Sequence, residues 1–136
     1  MKLKSFLVIE NPKIGIFNYP FANRDNTFIE KELRDIGFSK QTDNNNVHAF
    51  LTSAFNADSF THLKKIKNYI LECVENYNNN ITGGYLKNPT ISNMWAALYC
   101  KDDYTESHKH ISYTYSFVYF VRCDKNSSPL KFDNSL

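Results

Sequence analysis

Little in this chain would staple it, anchor it or steer it to a polyanion. Only three of its 136 residues are cysteine, Cys73, Cys100 and Cys123. The number is odd and no Cys-x-x-Cys spacing occurs, which excludes a disulfide framework and a zinc knuckle and leads us to expect a reducing, cytoplasmic setting. Blocks of like charge are missing as well. The 16 basic and 14 acidic residues are spread along the sequence for a net charge of +2, so no electrostatic footprint for nucleic acid is visible. Long apolar runs are absent too. Phe6 to Ile9, behind Lys2 and Lys4, is too short for a signal-peptide core, and no small-residue cleavage site follows it. Nothing approaches the ~20 apolar residues of a membrane span, so a soluble protein is expected. The length allows one real core but not two, and no repeat or linker divides the chain.

Aromatic residues, by contrast, are abundant. They make up 15% of the chain, with nine Tyr and eleven Phe, which favours sheet and a packed aromatic core over a helical bundle. Residues 3–9 read as a first strand, stopped by Asn11 and Pro12, and residues 14–19 as another, ended by Pro20. Residues 26–36 have Phe28, Glu32, Leu33 and Ile36 at helical spacing, with Gly37 placed as a C-terminal stop. Residues 41–46 are an Asn-rich loop. Residues 47–55 fit a strand or extended coil equally, and His48 within them reads as a surface or half-buried side chain, because no ligand partner stands near it in sequence.

The clearest helix spans residues 59–77. Phe60, Leu63, Ile66, Ile70, Val74 and Tyr77 form one apolar stripe, with Asp58 or Ser59 as N-cap and the lysines as a solvated face. His62 on its early turns reads as exposed or a filler. Residues 78–80 end it, and Gly83-Gly84 turns the chain into a second half where residues 91–100, 111–123 and 130–132 read as strands. The fold class expected is α+β in a single domain, residues 1–84 carrying strands and helices and residues 85–136 being β-rich.

Within that second half the stretch 102–120 gathers the chemistry. In an extended segment alternate side chains share a face, so His108 and His110 can converge on one point while Lys109 faces away. Neutral imidazole suits Fe, Zn, Cu or Ni. Taken alone, the spacing fits a metal clamp and a solvated strand face equally. Trp95, Tyr113, Tyr115 and Phe117 read as core or cavity wall.

Residues 91–132 resemble the Fe(II)- and 2-oxoglutarate-dependent dioxygenase superfamily, in particular the bacterial and tailed-phage oxygenases and, more distantly, the prolyl hydroxylases. The likeness rests on the order of four parts. Trp95 lies in Ile91-Ser-Asn-Met-Trp-Ala-Ala-Leu-Tyr99; the acidic-aromatic turn Lys101-Asp-Asp-Tyr104 follows; His108-Lys-His110 comes next; and Ser116-Phe-Val-Tyr-Phe-Val121 leads to Pro129-Leu-Lys-Phe132.

The resemblance implies a partial or complete double-stranded β-helix, or jelly roll, with an amphipathic helix flanking it. It also implies Fe(II) and 2-oxoglutarate as cofactors, and a cytoplasmic location, the host's cytoplasm for a phage protein. His108 would be the proximal iron ligand. His110 stands where most members have Asp, and Glu106, two residues before His108, is the second candidate for a carboxylate ligand. Tyr99 lines up with a tyrosine that contacts 2-oxoglutarate, and Tyr119-Phe120 replaces the family's Tyr-Tyr pair, leaving Tyr119 the retained hydroxyl. The family also needs a distal His and a basic clamp for the co-substrate carboxylate. No His follows His110, and Arg122 and Lys131 lie too early to serve, so a C-terminally incomplete oxygenase is the expectation. The alternative is a non-catalytic, degenerate jelly-roll module that binds a partner or oligomerises through an unpaired sheet edge. A structural two-histidine zinc or nickel site is a third reading.

Overall fold

Two amphipathic helices carry the core in the computed structural model of the chain, which describes residues 13–41 and 46–132. Helix α1 is Ala22–Ile36 and buries Asp25, Ile29 and Leu33 along one side. It starts four residues before the predicted Asn26, because the carbonyl of Phe21 already accepts the N–H groups of Arg24 and Asp25 at 3.0 and 2.9 Å. It stops where the sequence predicts. Gly37 takes φ 96° and donates its N–H to the Leu33 carbonyl at 3.1 Å, a backbone state that glycine adopts without a Cβ penalty.

Helix α2, Thr61–Ile81, follows a short 3-10 turn at Ala57–Ser59 and buries Leu63, Ile66 and Ile70 against α1. Ala57 and Met94 complete the buried cluster. Each large aliphatic side chain taken from water there contributes about 1.5–3 kcal/mol. The helix differs from its predicted extent at both ends. Neither Asp58 nor Ser59 caps it: the N-cap residue is Phe60, which has no capping side chain, and Asp58 instead accepts a bond from Lys67 Nζ at 2.7 Å. The Asn-rich tail does not end the helix either, since Asn78 is buried inside it and its amide holds the chain that follows.

The strands are short. β1 is Ser39–Lys40, β2 Val47–His48, β3 Phe50–Leu51, β4 Ala97–Leu98 and β5 Tyr104–Thr105. One antiparallel sheet has the order β1-β3-β4, and β2 and β5 form a separate antiparallel ribbon. Residues 47–55 therefore resolve as strand and extended chain. Beyond β3, Thr52 N–H reaches Ala96 O and Phe55 N–H reaches Met94 O, both at 3.0 Å, so pairing continues past the formal strand.

The sequence overstates the β structure. Residues 14–19 are not a strand but an extended strap along α2, held by its carbonyls: Tyr69 Oη donates to Asn18 O and Tyr77 Oη to Lys13 O, each at 2.5 Å. A Cβ added at Gly15 would lie 2.7 Å from the Tyr77 ring, so the strap's close approach needs glycine there. Of residues 91–100 only Ala97–Leu98 is strand, and residues 111–123 and 130–132 carry none. Among the described residues no strand lies beside the last two stretches to form a ladder with them. Ile111 is 89% exposed and Val118 60%, and Trp95, Tyr113 and Phe117 face solvent in part rather than filling a core. Side chains anchor this stretch instead: Tyr115 Oη donates to Asn78 Oδ1 at 3.3 Å, and Tyr119 Oη to Asn26 Oδ1 at 2.6 Å. The architecture is thus mixed, two helices with two small antiparallel sheets and no closed barrel among the described residues. The strand predicted at 3–9 lies outside those residues. No helix among them is long and apolar enough to cross a membrane.

A tyrosine cluster closes the α1 end of the core. The Tyr19 ring lies 5.0 Å from Tyr69 and 6.0 Å from Tyr119, and its hydroxyl donates to the buried Asp25 carboxylate at 2.7 Å. Arg24 bonds the same carboxylate at 2.8 and 3.2 Å; its guanidinium first, and Tyr19 second, hold Asp25 well below the usual carboxylate range. Desolvation, then the Asp25 contact, pushes Tyr19 up to about 12, and desolvation, then the Cys73 contact, pushes Tyr69 up to about 12. A phenol whose folded pKa is raised contributes stability that is complete below its unfolded value of about 10 and is lost as the pH climbs through the folded one. Tyr77 and Tyr119 are raised by burial as well, so tyrosinate absorbance titrated upward in pH is expected to show a late group of phenols with Tyr19 and Tyr69 the last of them, and unfolding setting in between about pH 10 and 12. A Tyr19→Phe, Tyr69→Phe double variant should lose the latest part of that phase and keep the Tyr77 and Tyr119 part.

Candidate metal centre

The β2–β5 ribbon brings the chemistry-bearing residues together. Val47 pairs with Thr105 and His48 with Tyr104, and one further bond, Glu106 N–H to Asn46 O at 2.7 Å, carries the ladder to Glu106. Val47 is buried and His48 half-buried, the alternation expected of a strand with one face on the protein. At the far side of the ribbon the turn at 100–103 is fixed by Asp103, whose carboxylate accepts the Cys100 N–H at 2.8 Å and also binds Lys40 Nζ. Lys40 first, then the Cys100 N–H, draw the Asp103 carboxyl below its ordinary value. Asp102 beside it takes φ 69°. Both aspartates are turn residues, as their place in the sequence implies.

Past Glu106 the chain leaves the ribbon, and both histidines are exposed to solvent. The His108 and His110 rings lie 4.9 Å apart, edge to face, with their Nε2 atoms 3.1 Å from each other. His108 Nδ1 sits 2.8 Å from the backbone carbonyl of Glu106. A carbonyl oxygen can only accept, so Nδ1 carries the ring proton and Nε2 is left with its lone pair. A metal-bound histidine is held in the same way, its second ring nitrogen donating to a carbonyl or carboxylate.

The contact between the two Nε2 atoms is an imidazole–imidazole hydrogen bond, donated by His110 Nε2–H to the His108 Nε2 lone pair, and a cation bound by both rings would take the place of the bridging proton. For an imidazole–metal distance of about 2.1 Å, a separation of 3.1 Å gives an angle at the metal of about 95°, close to neighbouring positions of an octahedron. Among the described residues no group of three or more His, Cys, Asp or Glu side chains converges on one point; His108 and His110 are a pair.

The other residues singled out by sequence lie elsewhere. The Glu106 carboxylate turns to His48, with Oε1 3.6 Å from its Nε2. Tyr99 is half-exposed and its hydroxyl is bonded to Thr105 Oγ1, beside the ribbon. Tyr119 gives its hydroxyl to Asn26 on α1, and desolvation raises its pKa. Both hydroxyls assigned to 2-oxoglutarate are thus engaged with protein groups. His48 is the residue that sequence reading passes over, since its neighbours Tyr104 and Glu106 stand in a distant stretch; the single available signal is its place next to the apolar Val47. Its ring stacks on Tyr104, with centroids 4.3 Å apart and planes 18° apart. Compared with known proteins, the chain matches no family model, no curated protein and no solved structure.

Proposed function

We propose that the chain carries part of the metal centre of an Fe(II)- and 2-oxoglutarate-dependent dioxygenase, in a jelly-roll relative whose described portion supplies two ligands, His108 and His110. The observation that carries this reading is the convergence of two Nε2 atoms to 3.1 Å, with His108 already in the tautomer that leaves Nε2 its lone pair. Iron with 2-oxoglutarate, when bound, supplies oxidation of a substrate C–H bond by O2. The protein's own part is to hold two neutral imidazoles at the angle a metal needs. The assignment of Tyr99 and Tyr119 to the co-substrate rests on the resemblance, and in Tyr99's case on its position beside the same ribbon. Glu106 is the carboxylate nearest in sequence that could join the set, by leaving His48.

Anaerobic titration of the purified chain with Fe(II), with and without 2-oxoglutarate, tests this directly. The charge-transfer absorbance of the chelated pair is expected only when both are present, and His108→Ala should abolish it. A folded protein that takes up no Fe(II) would sink the reading.

A second reading, a non-catalytic module that joins a partner or a second copy, draws on one observation. Ile111, Val118, Phe120 and Phe132 are each more than half exposed, along a stretch whose alternation suits a strand. It predicts association with or without metal, and sedimentation of the metal-free protein separates the two.

A further inference from the structure

We propose that His48 is a positioning residue for the His108 imidazole, acting through Glu106. The inference rests on the reading of His108 as a ligand, but its geometry stands without a metal. His48 is on β2 and His108 just past β5, so the coupling runs across the ribbon rather than along the chain.

Glu106 is the link. Its N–H is tied to Asn46 O at 2.7 Å, and its own carbonyl receives the His108 Nδ1 proton at 2.8 Å. The direction of that carbonyl sets which nitrogen of His108 keeps the proton, and therefore which one offers a lone pair. The Glu106 side chain faces the other strand, where Oε1 lies 3.6 Å from His48 Nε2, just beyond hydrogen-bond distance. His48 has little freedom to do otherwise. Its ring is stacked flat on Tyr104, and its Nε2 is shielded from solvent with no hydrogen-bond partner among the described residues, so the Glu106 carboxylate is the group at hand to satisfy it. Drawing the two together by a few tenths of an ångström makes a hydrogen bond and fixes the peptide that orients His108. Outer-shell groups of this kind are worth 10–100-fold in metal affinity.

The test uses His48→Phe, which keeps an aromatic ring on Tyr104 and removes Nε2, with His48→Leu as a second variant should the larger ring disturb folding. Ring-nitrogen NMR shifts of the metal-free full chain report the His108 tautomer, and Fe(II) titration reports affinity. In the parent protein His108 is expected as the Nδ1–H tautomer. In the variant it should drift toward the Nε2–H form, which free imidazole side chains prefer, with Fe(II) affinity lower by roughly 10–100-fold. An unchanged tautomer and affinity in a folded variant overturn the inference and leave the metal reading standing. A tautomer that follows His48 in a protein that binds no Fe(II) has the opposite meaning: the positioning holds and the ligand assignment falls.

Discussion

Replacing Asn78 by alanine is expected to destabilise the protein by about 3 kcal/mol, lowering the melting temperature by about 10 °C. Asn78 is 1% exposed, and its amide is a four-way joint. Nδ2 donates to Leu86 O at 2.6 Å, while Oδ1 accepts from Leu86 N–H at 3.1 Å, from Thr82 Oγ1 at 3.1 Å and from Tyr115 Oη at 3.3 Å. Alanine removes all four bonds and leaves the Leu86 peptide without them, and the penalty for such groups exceeds the modest net gain of an average hydrogen bond. The effect reaches the candidate site, because Tyr115 is the first side chain after the His pair that is tied to a helix. Denaturant midpoints measure the loss. Asn78→Asp refines the test: its carboxylate confronts the Leu86 carbonyl, and protonation restores a donor, so its deficit relative to the parent should shrink as the pH falls.

Glu32→Ala should cost about 2–3 kcal/mol, although Glu32 touches no ligand and lies outside α2. Its carboxylate accepts the N–H groups of His62, at 3.0 and 3.2 Å, and of Leu63, at 2.8 Å, and lies 3.0 Å from His62 Nδ1. It does for α2 what an N-cap does, from a neighbouring helix, and its negative charge suits the positive end of the helix dipole. Partial burial raises the Glu32 pKa, but the two backbone bonds and His62 outweigh it, and the net shift is downward. A carboxyl depressed in the folded state contributes stability that is complete above its unfolded pKa, about 4.3. That stability is lost as the pH falls through the lower folded value. The difference in unfolding free energy between the parent and Glu32→Gln is therefore expected to be flat near neutrality and to close in acid; a difference that persists unchanged to low pH would contradict a charged cap.

The two helices were legible because their information is local. The stripe Leu63, Ile66, Ile70 and the stop at Gly37 are written in spacing and residue type. The cap was not, because the acceptor that replaces Asp58 or Ser59 lies on α1, and no window around Thr61 contains it. Asn78 misled for a related reason. A run of asparagines reads as a helix end, yet a buried amide with four bonds is content inside one. The strands expected after residue 110 show the other limit. Ile111, Tyr113 and Phe117 have the right alternation and the right residue types, but a ladder needs a neighbour, and β-propensity measures fit to a half-covered sheet rather than a preference of the backbone alone. Of the candidate site, the nearness of His108 and His110 follows from their one-residue separation, and their rings do meet, although no strand is assigned there. The role of His48 was not legible, since it arises from pairing β2 with β5.

The exposed stretch after the histidines bears on handling and on fate in a crowded cell. Residues 111–121 contain no charge, no proline and no glycine, while β-branched and aromatic side chains alternate with Ser and Thr. Such a window is prone to add to its like, edge upon edge, into insoluble aggregates. Lys109 and Arg122 bracket it as gatekeepers, and one of them stands between the two candidate ligands. A divalent cation held by His108 and His110 would add positive charge at the same end of the window, making the loaded protein the less self-adhesive form.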